Sequence, residues 1–275
     1  MADGDYAAGL PLMEAHRYGR GLRPIVKPTL SFPEWTGERC ASLLVVGDQG
    51  LGDQIQFCRF VPDLLKLAGR VTLIVAPEVA PLVTHLGATV LPARGVVEFP
   101  VHDAWVLTGS LPLRLGVRLE TLSGAPYLKP PENLLTGWPT GLRFGVVWHG
   151  SRTHSNDHNR SMPEADAARL LGIPGAYSLH PEVTGARTMA DTAAIIDRLE
   201  AVITVDTSVA HLAGAMGKRT LLMLPATHTD WRWLKDRSDS PWYSSVKLYR
   251  QTRPGVWADV IDAVKGDLVF DRPLT

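Results

Sequence analysis

The sequence predicts an α/β protein of two Rossmann-like lobes facing each other across a cleft, and three observations predict it. Apolar strand-type runs alternate with helical segments along most of the chain. A stretch rich in proline and glycine divides that rhythm in two. In each half, one apolar run breaks off at an acidic corner from which a helix starts. Strands alternating with helices build parallel sheets with right-handed crossovers, and open sheets of that kind bind ligands at the C-terminal edge of their strands.

Taken in order, residues 1–40 are irregular beyond a short helix over 6–18, because Pro24, Pro28 and Pro33 break the pattern. They form an N-terminal extension packing on the first lobe. That lobe, residues 41–130, has strands at 43–46, 71–75, 88–91 and 104–107. Ile55, Cys58, Val61 and Leu65 keep near-helical spacing with a kink or restart at Pro62, and Gly69 closes the element. The boundary falls in residues 123–141, which hold Pro126, Pro130, Pro131 and Pro139. The second lobe, 131–275, repeats the rhythm with strands at 144–148, 176–179, 201–205, 219–224 and a shorter one at 246–249. Thr188-Met189-Ala190-Asp191 reads as a capping box opening a helix through Ile195, Ile196 and Leu199. A last helix runs from Val256 to Val264. There is no fixed-period repeat.

Composition limits the function. The chain has 275 residues, 45% of them hydrophobic and 20% charged, enough apolar material for real cores. Lys+Arg and Asp+Glu stand at 28 each, which argues against a nucleic-acid binder running on bulk charge. Cys40 and Cys58 lack metal-ligand spacing and read as ordinary reduced thiols. The N-terminus has no signal-peptide pattern, and no apolar run approaches the roughly 20 residues that cross a bilayer. A cytoplasmic setting is expected, or one peripheral to the inner membrane.

Two corners carry the chemistry. Val202-Ile203-Thr204-Val205 runs into Asp206-Thr207-Ser208-Val209-Ala210-His211, so Asp206 is expected at the strand tip and at the N-cap of the next helix. Unpaired N–H groups and the positive end of the helix dipole converge there and attract anions. His211 lies four residues after Thr207 on the same helix face, an ordinary packed position unless the helix faces a ligand, as this one does. The other corner is Gly47-Asp48-Gln49-Gly50-Leu51-Gly52-Asp53-Gln54. Its three glycines admit positive φ and close approach of a ligand, but the spacing is not that of the dinucleotide fingerprint. Asp53 is either a helix cap or a general base at the mouth of the cleft.

Other clusters are open to two readings. Trp148 to Ser161 contains His149, His154, His158, Arg152 and Arg160. Zinc ligation, a solvated loop, or a loop gripping phosphate or sugar all fit, with Arg160 the candidate for neutralising a diphosphate. Tyr177-Ser178-Leu179-His180 ends a strand on the same edge and contacts a base or ribose, or is simply core and turn. Trp231 and Trp233 either stack on a base or sugar or pack as aromatic core.

These segments, with Asp230-Trp231-Arg232-Trp233-Leu234 and Pro241-Trp242-Tyr243, resemble the glycosyltransferase domain of bacterial tetratricopeptide-repeat proteins. That domain is related to the lipopolysaccharide heptosyltransferases of two-lobed GT-B architecture. The resemblance covers nearly everything from Pro33 to Asp262. It implies inverting transfer of a sugar from a nucleotide-diphosphate donor, ADP-linked among others, to a hydroxyl acceptor without a required metal or other cofactor. Asp53 then stands as general base, while Asp206, Thr207, Ser208 and His211 bind the donor's diphosphate and sugar. Arg160 takes the place of a phosphate-gripping lysine. The full donor-binding set adds Gly50, Gly52, Gln54, Trp148, His149, Asn156, Ser161, His180, Asp230 and Trp231. Residues 4–18 look like the tail of a last repeat, so the acceptor, a saccharide or a protein, is left open. A nucleotide-sugar epimerase and a non-catalytic sugar-nucleotide or partner-binding module are the alternatives. A dinucleotide oxidoreductase is the weakest reading.

Overall fold

A computed structural model describes residues 1–20, 25–131 and 141–270. Part of the proline-rich stretch at 123–141 lies outside the described residues. The chain divides into two compact units, one made of Asp3–Leu122 with Thr188–Ala190, the other of Ser123–Arg187 with the chain from Asp191 onward.

The first unit begins with α1 (Tyr6–Ala15), followed by a π-helical turn at His16–Arg20. Then come β1 (Cys40–Val46), α2 (Leu51–Phe57), α3 (Val61–Leu67), β2 (Ala68–Val75), α4 (Ala80–Val83), β3 (Thr89–Pro92), β4 (Ala104–Leu107) and α5 (Leu111–Arg114). The strands form a parallel sheet in the order β3-β2-β1-β4. Strand order reverses between β1 and β4, so the crevice of this unit opens between their C-terminal ends. The N-terminal residues are built into it. Trp35 is fully buried and exchanges backbone hydrogen bonds alongside Trp105, while Tyr18, Ile25, Leu30 and Phe32 pack against Leu44, Ile74, Trp105 and Leu107.

The second unit contains β5 (Phe144–Val147), α6 (Asp157–Arg160), α7 (Glu164–Leu171), β6 (Ala176–Ser178), α8 (Pro181–Thr184), most of α9 (Met189–Asp197), β7 (Ala201–Val205), α10 (Ser208–Ala215), β8 (Thr220–Leu224), β9 (Val246–Arg250) and α11 (Ala258–Phe270). Its sheet is also parallel, in the order β6-β5-β7-β8-β9. The reversal here lies between β5 and β7. Gly145 in β5 is a packing requirement, since a Cβ there would meet Leu179 and Leu199 side-chain carbons at 2.5 and 2.7 Å. One face of the sheet buries Phe144, Val146, Ile203, Val205 and Leu221 against α7 and α11 through Leu170, Ile261 and Val264.

Several local expectations are corrected. The first helix ends at Ala15, where the π-helical turn takes over. A short 3-10 turn at Cys58–Phe60 divides α2 from α3, and Pro62 sits in the first turn of α3, where its missing N–H costs nothing. Gly69 closes nothing: α3 stops at Leu67 and Gly69 already lies in β2, where a Cβ would come within 3.0 Å of the Ala41 carbonyl oxygen. Asp191, in the first turn of α9, accepts the Arg187 N–H at 2.9 Å. The last helix runs over 258–270, beginning after and ending beyond the expected span. Cys58 is sealed in the first unit's core, and burial pushes its thiol up to about 12, which makes it an inert packing residue. Among the described residues, no helix is long and apolar enough to cross a membrane.

Candidate functional site

In the first unit, β1 delivers Asp48 and Asp53 to the crevice by different routes. Asp48 is buried; its Oδ1 accepts the Thr108 hydroxyl at 2.7 Å and the Gly109 N–H at 2.8 Å, both from the turn after β4. That carboxylate ties the two strand ends together across the reversal point. Asp53, one turn into α2, keeps its side chain partly exposed, and its Oδ2 accepts the Gly50 N–H at 3.1 Å. It therefore caps the helix that presents it. None of the three glycines takes positive φ; the left-handed residue is Gln49, at φ 65°. Gly47 is needed for close approach instead, because a Cβ would lie 2.9 Å from the Ile74 carbonyl oxygen. Gly50 is exposed. Gln54 is turned inward: it is 6% exposed and its Oε1 accepts the Ala76 N–H at 2.8 Å, so it ties α2 to the end of β2 and offers a donor little.

The N-terminal helical segment reaches this same corner. Arg17 donates to Oε1 of Gln49 at 3.2 Å and packs against Gly109. Tyr18 shares a hydrogen bond with Ser110 at 3.1 Å, and Ser110 contacts both carboxylate oxygens of Glu14 at 3.0 Å. Burial, and next the Asp48 charge, push the Tyr18 phenol up to about 12.

In the second unit, β7 ends at Val205 and the N-cap of α10 is Thr207, one residue later than expected for Asp206. The Thr207 side chain makes no capping bond to the helix; its Oγ1 lies 3.3 Å from that of Thr204. Ser208 is the first helical residue and partly exposed. Asp206 is partly exposed, and its carboxyl is raised well above the usual range, first by desolvation and then by the Asp230 carboxylate. The Trp233 indole N–H, buried and outside hydrogen-bonding geometry, stands near enough to oppose that rise, as do Arg160 and Arg232. Asp230 is held below its ordinary value. Desolvation alone would raise it, but Arg232 overcomes that, bonding it at 2.9 Å through both backbone N–H and Nη1.

His211 is 7% exposed. Its Nδ1 lies 2.9 Å from the Tyr243 hydroxyl, and its ring stacks on Trp233 with centroids 5.3 Å apart at 26°. Trp233 is fully buried by that stack, which removes it from the residues able to stack on a base. Trp231 stays partly exposed, edge-on to Trp242 at 5.8 Å.

The loop after β5 is braced on itself. Arg160 bonds Asp157 at 3.3 Å and donates from Nη1 to the Asp206 carbonyl oxygen at 2.7 Å. Its guanidinium also packs over Gly150. It thus clamps the loop after β5 to the corner after β7, at the unit's reversal point, with much of its donor capacity already used. Ser161 donates to Asp157 at 2.9 Å. Asn156 donates to the His228 carbonyl at 2.8 Å and accepts from Asn159 at 2.7 Å.

Trp148 is buried with its indole N–H on Glu164 at 3.1 Å, edge-on to His180 at 4.3 Å. His149 stacks on His180, centroids 3.8 Å apart at 12°. Desolvation, and then the neighbouring His149, lower His180 to about 4, so it is a neutral imidazole. The zinc reading of His149, His154 and His158 is not realised as a cluster. Among the described residues the group with ligand atoms within 4.8 Å of one another is His149, His180 and Glu182. Parallel rings at that spacing aim their in-plane lone pairs side by side and cannot converge them on one ion, and Nε2 of His180 is buried without a partner. As folded, this is a stacked pair.

Residues 161–258, which include Asp206 to His211 and Asp230 to Tyr243, match the model of glycosyltransferase family 9 (heptosyltransferase). Protein FlbA of Caulobacter vibrioides is 20% identical over 84% of this chain and 47% of its own length. The chain thus spans about half the length of the curated relative it matches. Among solved structures, a family 9 glycosyl transferase from Veillonella parvula is 11% identical with a TM-score of 0.53, over 88% of this chain and 92% of that one. Escherichia coli heptosyltransferase WaaC, solved with ADP-2-deoxy-2-fluoro heptose, gives 13% and 0.52 over 84% and 100%. The dodecameric glycosyltransferase TibC of enterotoxigenic E. coli, described as iron-containing, gives 13% and 0.51 over 91% and 81%. At such identities the likeness is one of fold, and it bears out the GT-B type of two parallel-sheet units. It does not bear on a tetratricopeptide context. Residues 161–258 of the second unit thus match glycosyltransferase family 9 (heptosyltransferase), on a chain that shares the α/β fold of solved heptosyltransferases.

Proposed function

We propose that the chain is a heptosyltransferase-like glycosyltransferase that takes a nucleotide-diphosphate sugar on its second unit. One observation carries the reading. The start of α10, with no side-chain cap from Thr207, stands beside the reversal point between β5 and β7 inside the segment that matches the family. Backbone N–H groups there suit a diphosphate, and His211, Ser208 and Thr207 lie in the same turn. WaaC was solved with an ADP-sugar analogue, which makes ADP the first nucleotide to try.

In this reading the sugar passes with inversion to a hydroxyl of a saccharide or protein acceptor, with no metal needed. Asp53 removes the hydroxyl proton, a role that typically contributes about 10²–10⁴-fold. Its partial exposure supports the assignment over Asp48, whose Oδ1 is taken up by Thr108 and Gly109. The Gly50–Asp53 bond favours a second reading, in which Asp53 is only a cap and the chain is a non-catalytic sugar-nucleotide module. Calorimetric titration with ADP, GDP and UDP, with and without EDTA, tests the donor site. Binding of one nucleoside diphosphate, unchanged by EDTA and weakened by Ser208→Pro, is the expected outcome. Binding of none of the three overturns the donor reading.

A further inference from the structure

In the second unit, the loops after β5, β8 and β9 frame a cavity of about 320 Å³. Its walls include His158, Asn159, Ser161, Thr227, Gln251 and Trp257, beside three prolines. None of Asp206, Thr207, Ser208 and His211 lines it, so it is separate from the helix start assigned to a diphosphate. It still lies at the C-terminal edge of a parallel sheet, where open α/β sheets take their ligands.

Gln251 is the fixed point of this cavity. It is 5% exposed, and its Oε1 accepts the Ala226 N–H at 3.2 Å and the Gly255 N–H at 3.3 Å. Two N–H donors facing one end of the carboxamide require oxygen there, so the NH₂ end cannot change places with it. That end, Nε2, is buried without a hydrogen-bond partner among the described residues. Buried polar groups are nearly always paired, and a rigidly held amide N–H at a cavity wall calls for an acceptor that the chain does not supply.

The rest of the lining narrows the class of acceptor. It has no lysine, arginine, aspartate or glutamate, so a phosphate, a carboxylate or a cation meets no counter-charge there. Hydroxyl, amide and imidazole groups offer hydrogen bonds of both senses, and the prolines and Trp257 offer apolar contact. A pyranose matches that mixture, with hydroxyls on its rim and C–H groups on its faces. The volume is at the low end for ligand pockets and suits one such ring better than a nucleotide.

We infer that this cavity binds a neutral sugar unit of a glycan, with Nε2 of Gln251 donating to one of its oxygens. The inference does not rest on the donor reading above.

Titration of the full chain with the methyl pyranosides of glucose, galactose, mannose and rhamnose tests it. Binding is read by saturation transfer to the glycoside and by nitrogen-15 spectra of the side-chain amides. Gln251 is assigned by loss of its signal in Gln251→Glu, which keeps an oxygen for Ala226 and Gly255. At least one glycoside should bind, the Gln251 amide should shift with it, and excess ADP should leave both signals unchanged. Thr227→Trp, at an exposed position, fills the cavity and should abolish both; its saturation transfer still decides the matter if Gln251→Glu fails to fold. No binding of any of the four to wild-type protein overturns the inference, as does binding that leaves the Gln251 amide unmoved, that ADP displaces, or that survives Thr227→Trp. ADP failing to bind wild-type protein overturns the donor reading alone, and the glycoside signals still decide this one.

Discussion

Replacing Asp48 by alanine should destabilise the first unit far more than its place in a glycine-rich loop suggests. The carboxylate Oδ1 is the acceptor for two buried donors, the Thr108 hydroxyl at 2.7 Å and the Gly109 N–H at 2.8 Å. A buried donor left without an acceptor costs about 1–3 kcal/mol, so the pair gives about 2–6 kcal/mol. The Thr108 hydroxyl can rotate toward another oxygen, which puts the expectation near 3 kcal/mol. Asp48→Asn keeps an oxygen at Oδ1 and should cost only about 1 kcal/mol. Urea unfolding, followed at the transition that the substitution shifts because the chain has two units, measures both. An independent readout is Tyr18, raised to about 12 by burial and then by the Asp48 charge. Asp48→Asn removes that charge, so the phenol should titrate lower in an ultraviolet pH titration. An Asp48→Ala chain within about 0.5 kcal/mol of wild type, the range of ordinary surface changes, would refute the picture of Asp48 as the tie between β1 and β4.

Gln54→Leu leaves the Ala76 N–H unpaired and should cost about 1–3 kcal/mol in urea unfolding with no change in nucleotide affinity; the reverse pattern would return Gln54 to the binding site. Gly145→Ala should destabilise the second unit by about 1–3 kcal/mol, the usual cost of overpacking, because Leu179 and Leu199 occupy the space of its Cβ. Asp206 gives a pH signature. Its folded-state value, raised to about 7, means the native chain holds that proton more tightly than the unfolded one. The stabilisation it gives is present below about pH 4 and is lost as pH rises toward 7. His180, lowered to about 4, acts oppositely, losing stability as pH falls through the same window, so the comparison of wild type with Asp206→Asn isolates the aspartate. The urea midpoint of the variant should lack the decline between pH 4 and 7 that Asp206 contributes.

The fold was legible because its strands are apolar runs of nearly uniform burial. The segments 104–107 and 201–205 coincide with β4 and β7, since parallel strands covered on both faces leave little polar ambiguity at their ends. Helix ends were less legible where tertiary contacts decided them. Ala68 entered β2 instead of extending α3, because pairing with β1 outweighed the glycine that follows it. At the sites, residue type and strand-end position pointed to Asp53, His211 and Asp206. They could not show which groups would be consumed internally. Arg160 clamps the Asp206 carbonyl 46 residues away, Gln54 reaches Ala76 22 residues away, and Trp233 covers His211. Asp48 and Tyr243 were passed over for the same reason, as both act through partners distant in sequence. The Gly47-Asp48 pair at the strand end was the one local signal for the first of them.

Nucleoside diphosphate release from nucleotide sugars, ADP-linked ones first, is the measurement closest to the central claim, made on wild-type protein and on Asp53→Asn with donor affinity measured in parallel. The account predicts slow release by the wild type even to water as acceptor, a fall of about 10²-fold or more in Asp53→Asn, and equal donor affinity in both. A nucleotide sugar that binds neither protein, or an Asp53→Asn chain that turns over at the wild-type rate, would contradict it.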